Sequence, residues 1–441
     1  MAERDLAAVI LAAGLGTRMK SATAKHLHPL LGRRLVDWVV EAVRPLGAEP
    51  LVLVVSPETA NAFDGADVAV QAEPLGTGDA VRAARRKLDD DAENILVVSG
   101  DAPRVSSGLL ERLVHDHRSS GAAATVLSFE PDDPGAYGRI LRDGDGCLQA
   151  IVEHADADVG QREVREVNSS IYVFQAAKLW PALDQIEPIN AQGELYLTDA
   201  VRLLVDGGEE VNVFKAPNAD EVEGVNTRAE LAEAAAFLRA RVNKEHMLAG
   251  VTIVDPETTW IDAQVELEPD STIHPFTVLR GRTRVATGAE VGPHAVAIDA
   301  EIGPDVKVGP FCYLRPGTKL GAGSKAGAFV EIKNSDIGAR TKVPHLSYIG
   351  DAEIGEDTNV AAGNITANVP HEPGTAKQRT KIGQNVRTGI HNGFEAPVEI
   401  GDDAWIAGGS YITEDVPPES LAGFPPRQVT KEGYLRGKRN D

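Results

Sequence analysis

From residue 267 onward, small or aliphatic residues return every six positions. Leu267, Ile273, Leu279, Val285, Val291 and Ala297 set the phase. A shorter step leads to Ile302, and Val308, Leu314, Leu320, Ala326 and Ile332 follow. The pattern runs on through Ile337, Val343, Ile349, Ile354 and Val360, then resumes at Ile382, Phe394, Ile400, Ile406 and Ile412. Glycine often comes next, as in Ile302-Gly303 and Ile337-Gly338. Such a period matches neither a helix nor a strand buried on one face. It predicts a parallel β-helix, in which each aliphatic side chain points into a prism and the small residue after it permits the turn. Residues 364–381 break the period with Pro370, Pro373, Gly374 and the basic Lys377, Arg379 and Lys381, which predicts a projecting loop.

The first half has another rhythm. Ala7–Ala12, Leu51–Val55 and Ile95–Ser99 are apolar runs of strand length, and Leu35–Val43 and Leu109–Val114 read as helical. Strands alternating with helices predict a largely parallel sheet covered on both faces, with ligands at the carboxyl ends of its strands. Between the halves, Leu231, Ala235, Leu238 and Val242 share one face of a helix. The predicted organisation is an α/β domain over residues 1–226, a connector helix over 227–249, and a β-helix with a C-terminal tail over 250–441.

Charge and cysteine content narrow the function classes. The formal net charge of −22 argues against nucleic acid or an anionic membrane as the main partner, though one basic pocket suffices for a small anion. Cys147 and Cys312 are too few for a disulfide framework, which suits a reducing, cytoplasmic setting. No apolar run approaches the ~20 residues of a membrane helix. The N-terminal apolar stretch is short, has an acidic flank and ends in glycine-rich turn residues, unlike a signal peptide.

The segment Leu11-Ala-Ala-Gly-Leu-Gly-Thr-Arg18-Met follows a strand, and Lys25 lies just beyond it. Small residues let backbone N–H groups approach an anion, and Arg18 and Lys25 add charge. A bare Gly-x-Gly is a weak signal, but this whole run is more specific. Gln71-Ala-Glu-Pro-Leu-Gly-Thr-Gly78, Ser99-Gly-Asp101, Gly135-Ala-Tyr-Gly-Arg-Ile140, Ile151-Val-Glu153, Glu166-Val-Asn168 and Gly224-Val-Asn226 follow in order. In these motifs the chain resembles the bifunctional bacterial UDP-N-acetylglucosamine pyrophosphorylase/glucosamine-1-phosphate N-acetyltransferase family. The resemblance spans nearly the whole first half, and the hexapeptide half is similar to the family's acetyltransferase domain.

The resemblance implies a Rossmann-like nucleotidyltransferase domain followed by a left-handed parallel β-helix, and a homotrimer assembled through the β-helix. It implies uridylyl transfer from UTP to N-acetylglucosamine 1-phosphate with release of pyrophosphate. The nucleophile there is already an anion, so alignment and charge neutralisation do the work. By resemblance Leu11, Ala12, Ala13 and Gly14 contact the nucleotide, Arg18 and Lys25 its phosphates, and Gln71, Gly76 and Thr77 the uracil. Asp101 and Asn226 would hold Mg²⁺, a hard ion that suits oxygen ligands. Gly138, Glu153, Asn168 and Asn226 would bind the sugar. Alanine stands at position 24, where the family often has proline before the lysine.

For the second half the resemblance implies acetyl transfer from acetyl-CoA to glucosamine 1-phosphate, which needs a base for the attacking amine. His345, in Val343-Pro-His-Leu-Ser-Tyr348-Ile-Gly-Asp351, would be that base. Arg315, Lys333, Tyr348 and Asn359 would bind the amino sugar phosphate, and Lys377, Gly408 and Arg427 would lie on the acyl-donor side. The chain departs from the family on that side. Val369 replaces a tyrosine, Ile390 a serine, Gly408 an alanine, and Pro425 an arginine. Three outcomes follow from those departures: an intact acetyltransferase, one with another acyl donor or amino sugar, or a uridylyltransferase whose β-helix is a trimerisation scaffold. A scaffold without sugar chemistry is disfavoured, because it has no use for Arg18, Lys25, Asp101 and Asn226 together.

Overall fold

The computed structural model describes residues 5–14, 16–63, 65–88, 92–370, 375–424 and 428–434. The chain divides into two compact units, with the boundary after Leu238.

The first unit is built on strands β1 (Leu6–Ala12), β2 (Leu51–Val55), β3 (Asp67–Val70), β4 (Asn94–Ser99), β5 (Ala124–Phe129), β6 (Arg139–Arg142), β7 (Leu148–Val152), β8 (Val167–Gln175) and β9 (Val211–Lys215). The sheet runs β9-β5-β8-β4-β1-β2-β3, and the hairpin β6/β7 attaches to β8. β1 is parallel to both β2 and β4, in keeping with the alternation of strands and helices. β8 runs antiparallel to β4 and β5, and the β6/β7 hairpin is antiparallel too. Side chains along β1 alternate between two apolar clusters. Ala7 and Val9 enter one, Ala8 and Ile10 the other. Burial on both faces is why these strands read as continuous apolar runs.

Helices α1 (Leu35–Val43) and α3 (Ser107–Ser120) pack on one face, and α2 (Thr77–Ala84), α4 (Ala176–Gln185) and α5 (Leu197–Asp206) on the other. The Ser106 side chain caps α3 by accepting from the amide of Leu109, and Gly121 ends that helix in the left-handed region. Helix α6 (Arg228–Leu248) spans the unit boundary. Its buried line is Ala234, Leu238 and Val242, so Ala234 replaces the expected Ala235, which is only half-buried.

The second unit is a parallel β-helix. Short strands stack into three sheets whose partners lie one coil apart, as in Ile273 beside Val291 and Leu314 beside Ile332. The periodic residues from Ile273 to Ile412 point inward and are buried, while Leu267 is half-buried. Two inward positions carry threonine where the aliphatic pattern lapses. Thr366 accepts from the amide of Gly350 at 2.7 Å, and Thr388 from the amide of Ala361 at 2.9 Å. A threonine can enter this prism because its hydroxyl finds a backbone partner. The projecting loop is also shorter than the break in period suggests. Ile365–Ala367 and Thr380–Ile382 are strands of the coil, so among the described residues only 368–370 and 375–379 lie outside them. Among the described residues, Cys147 and Cys312 are free.

Candidate active sites

In the first unit, the loops after β1 and β4 meet at the carboxyl ends of those strands, and a turn before α6 joins them. Gly16 adopts φ +61°, and a Cβ there would lie 2.4 Å from the Lys25 Cβ. Only glycine lets the phosphate-type loop close onto Lys25. The Lys25 ammonium donates to Asp101 and, at 2.8 Å, to the Asn226 side-chain oxygen. Arg18 donates to that same oxygen at 2.9 Å, and Ser99 to the other Asp101 oxygen at 2.6 Å. Burial alone would raise the Asp101 carboxyl; the Lys25 charge and hydrogen bond, with Ser99, override it and hold the group at about 2.

Asn226 owes its place to backbone contacts. Its amide and that of Thr227 donate to Glu230, Val225 donates to the Asp101 carbonyl at 2.8 Å, and Gly224 donates to the Tyr137 hydroxyl at 3.0 Å. Sequence reasoning singles out neither Glu230 nor Tyr137. The Thr227-x-x-Glu230 spacing at the start of α6 is the local signal for the first; the second lies within the Gly135–Ile140 motif, which does not by itself point to this contact.

Gln71 follows β3 and donates to the Gly76 carbonyl at 3.0 Å and to Asp79 at 2.9 Å. Gly76 has φ +115°, and a Cβ there would meet the Leu195 carbonyl at 2.5 Å. Thr77 opens α2 and accepts from the amide of Leu197 at 2.9 Å. These contacts gather Gln71, Gly76 and Thr77 against the segment before α5. Leu11, Ala12 and Ala13 lie at the end of β1, while Gly14 is exposed with open space around it.

Gly138, Glu153 and Asn168 also converge. A Cβ on Gly138 would lie 3.2 Å from a Glu153 carboxylate oxygen, and the Asn168 amide donates to the Gly138 carbonyl at 2.8 Å. The Asn168 side chain donates to the Tyr172 hydroxyl at 2.7 Å. Glu153 accepts from Thr198 at 3.2 Å, and burial pushes its carboxyl up.

In the second unit, Arg315 and Lys333 occupy equivalent places on successive coils, because Leu314 pairs with Ile332. Arg315 pairs with Glu331 at 2.9 Å. Tyr348 lies opposite Glu331, and its ring covers Gly350, where a Cβ would sit 2.3 Å from the hydroxyl oxygen. Lys377 comes from the projecting loop to stand beside Lys333, whose ammonium pushes that of Lys377 below its usual range. Arg315, Lys333, Tyr348 and Lys377 therefore share one region, so Lys377, expected on the acyl-donor side, stands with the residues expected to bind the sugar phosphate. His345 ends the strand Lys342–His345 on the adjacent sheet and is exposed. Asn359 bridges Lys342 and Arg387 on that same sheet. Gly408 packs near Ile390, whose carbonyl a Cβ would approach to 3.2 Å. Arg427 and Pro425 lie outside the described residues.

A family model described as a MobA-like NTP transferase domain matches residues 8–183. The match extends much further in whole-chain relatives. The bifunctional protein GlmU of Streptomyces avermitilis is 46% identical over 461 aligned residues, covering 99% of this chain and 95% of the relative. The chain belongs to the bifunctional GlmU family. The GlmU protein of Mycobacterium tuberculosis is 45% identical, with 99% of this chain and 93% of the relative covered. That of Geobacillus thermodenitrificans is 43% identical, with 98% of each covered. Similarity to GlmU proteins thus runs through both units. Within this GlmU chain two of the departures named above are solvent-facing: Val369 is 67% and Ile390 56% exposed. Among the described residues, no helix is long and apolar enough to cross a membrane.

Proposed function

We propose that the chain makes UDP-N-acetylglucosamine in two steps, one in each unit. The observation that carries the reading is the junction of Lys25, Arg18, Asp101 and Asn226, two cations and two oxygen donors at the strand ends of an α/β sheet. In the first unit a phosphate oxygen of N-acetylglucosamine 1-phosphate attacks the α-phosphorus of UTP. An oxygen–phosphorus bond forms, the bond to the bridging oxygen breaks, and pyrophosphate leaves. Arg18 and Lys25 neutralise the phosphates and align them. Gln71, Gly76 and Thr77 orient the base, and Gly138, Glu153 and Asn168 hold the sugar.

Asp101 and Asn226 fit Mg²⁺, because their side-chain oxygens already converge on one cationic group, the Lys25 ammonium. The ion would supply further positive charge at the phosphates.

In the second unit the amine of glucosamine 1-phosphate attacks the thioester carbonyl of acetyl-CoA. The amide bond forms, His345 takes the amine proton, and CoA leaves as the thiol. Arg315, Lys333, Tyr348 and Asn359 bind the sugar phosphate, with Gly408 and Arg427 on the donor side. The family resemblance supports a homotrimer, and the free cysteines suit a cytoplasmic setting.

Val369 and Ile390 favour a second reading for this half, a different acyl donor, since apolar side chains stand where the family has polar ones. Thiol release with glucosamine 1-phosphate and acetyl-CoA, and magnesium-dependent pyrophosphate release with UTP and supplied N-acetylglucosamine 1-phosphate, test the two steps separately. Wild type completes both, and His345→Ala loses only the first. Pyrophosphate release without thiol release sinks acetyl-CoA as donor.

A further inference from the structure

Asp351 belongs to neither the cations nor the base, yet more of the second site is tied to it than to any of them. Its side chain is only 8% exposed. One carboxylate oxygen accepts from the Asn334 side chain at 2.5 Å. The other accepts from Lys333 at 3.3 Å and from the Asn368 side chain. Its backbone makes two more links: the Asp351 amide donates to the Lys333 carbonyl at 2.9 Å, and Thr380 donates to the Asp351 carbonyl at 3.2 Å. Asn368 and Thr380 are the two roots of the projecting loop, and the Gln378 amide closes its base onto the Asn368 carbonyl at 3.2 Å. Burial would raise the Asp351 carboxyl, but Asn334 and Lys333 outweigh it and keep the group ionised.

We propose that Asp351 is a positioning residue for acetyl transfer: its buried carboxylate clamps the base of the 368–379 loop to the strand end bearing Lys333, and so sets how Lys333 and Lys377 together face the phosphate of the amino sugar. Two ammonium groups held side by side repel, and an anion between them relieves that repulsion. Their spacing decides how well a phosphate fits, and the clamp is joined to Lys333 directly and to Lys377 through the loop root. A carboxylate is required because three donors point at it and it offers only acceptors. An amide in its place would turn N–H groups toward at least one of those donors. The inference rests on Lys333 binding the sugar phosphate.

Asp351→Asn is the direct test. Asp351 has φ +47°, a conformation asparagine tolerates, so the backbone is spared. The expected result is a KM for glucosamine 1-phosphate raised about tenfold, with kcat within about threefold of wild type, since His345 is untouched. Charge alone acts the other way, because losing a negative group beside the cations favours an anionic substrate. A KM that falls or stays constant overturns the proposal. Asn368→Ala, which frees only the loop root, should also raise that KM, and the double variant should add little, as expected for residues in one network. Fully additive effects, or equal loss of kcat and KM with a lowered melting temperature, mean a merely structural role and overturn it too. Lys333→Ala separates the premise from the inference. If Lys333→Ala leaves the KM unchanged, the phosphate role of Lys333 fails; if it raises the KM while Asp351→Asn does not, only the clamp fails.

Discussion

The Lys25 ammonium meets the side-chain oxygen of Asn226 at 2.8 Å across 201 positions of sequence, and contacts Asp101 at the same point. One cation thus joins the loops after two strands to the turn before α6. Lys25→Ala removes that junction and a phosphate charge together. Uridylyl transfer should fall by about 10²–10³ in kcat/KM, the scale of one lost charge-stabilising donor. Acetyl transfer, assayed by thiol release, should be unchanged. Retention of full pyrophosphate release would remove Lys25 from the phosphate site.

Gly16 lies against Lys25 for a steric reason. Gly16→Ala would place its Cβ 2.4 Å from the Lys25 Cβ at a φ of +61°. The left-handed conformation costs about 1–2 kcal/mol, and relief of the clash displaces Lys25. The expected outcome is a uridylyl rate lowered by at least about tenfold, from misalignment of the phosphates. Steady-state kinetics beside a thermal melt decides it: a lower melting temperature at full rate would mean the loop tolerates the methyl group.

Inside the prism, Thr366 exchanges hydrogen bonds with the backbone of Gly350, accepting at 2.7 Å and donating at 3.0 Å. Thr366→Val keeps the shape and strands both backbone groups. The β-helix should lose about 1–3 kcal/mol, the cost of unsatisfied buried polar groups. Chemical denaturation of the full chain, followed through the acetyl-transfer signal, measures it.

His117 is buried, and burial holds its imidazole down at about 4, against an ordinary 6.5. The unfolded chain takes up a proton that the folded chain refuses. Stability from this residue is therefore complete above about pH 6.5 and is lost as pH falls towards 4. His117→Gln should flatten the fall in melting temperature across that window. An unchanged slope would mean His117 titrates alike in both states.

Legibility in the sequence followed the range of the interactions. The six-residue period announced the prism because each coil repeats one local geometry; Leu267 at its start, the polar interior threonines and the extent of the loop needed revision, as did Ala235 on the connector helix. The antiparallel entry of β8 was not legible, since strand direction within a sheet depends on which partner the chain returns to. Among the site residues, motifs pointed to Lys25, Asp101 and Asn226, but Ser99, Tyr137, Thr198 and Glu230 act through contacts made only after folding. Asn359 sits in the right motif yet stands on a different sheet from Arg315 and Lys333.

By itself the sequence determined which residues turn inward, where glycine must sit, and which charged side chains are at hand, because periodicity, backbone freedom and residue chemistry are properties of short segments. Tertiary structure alone decided that Lys25, Asp101 and Asn226 share one point and that Asp351 gathers Lys333, Asn334 and Asn368. Those contacts depend on strand register and loop closure, which emerge only when the sheets assemble.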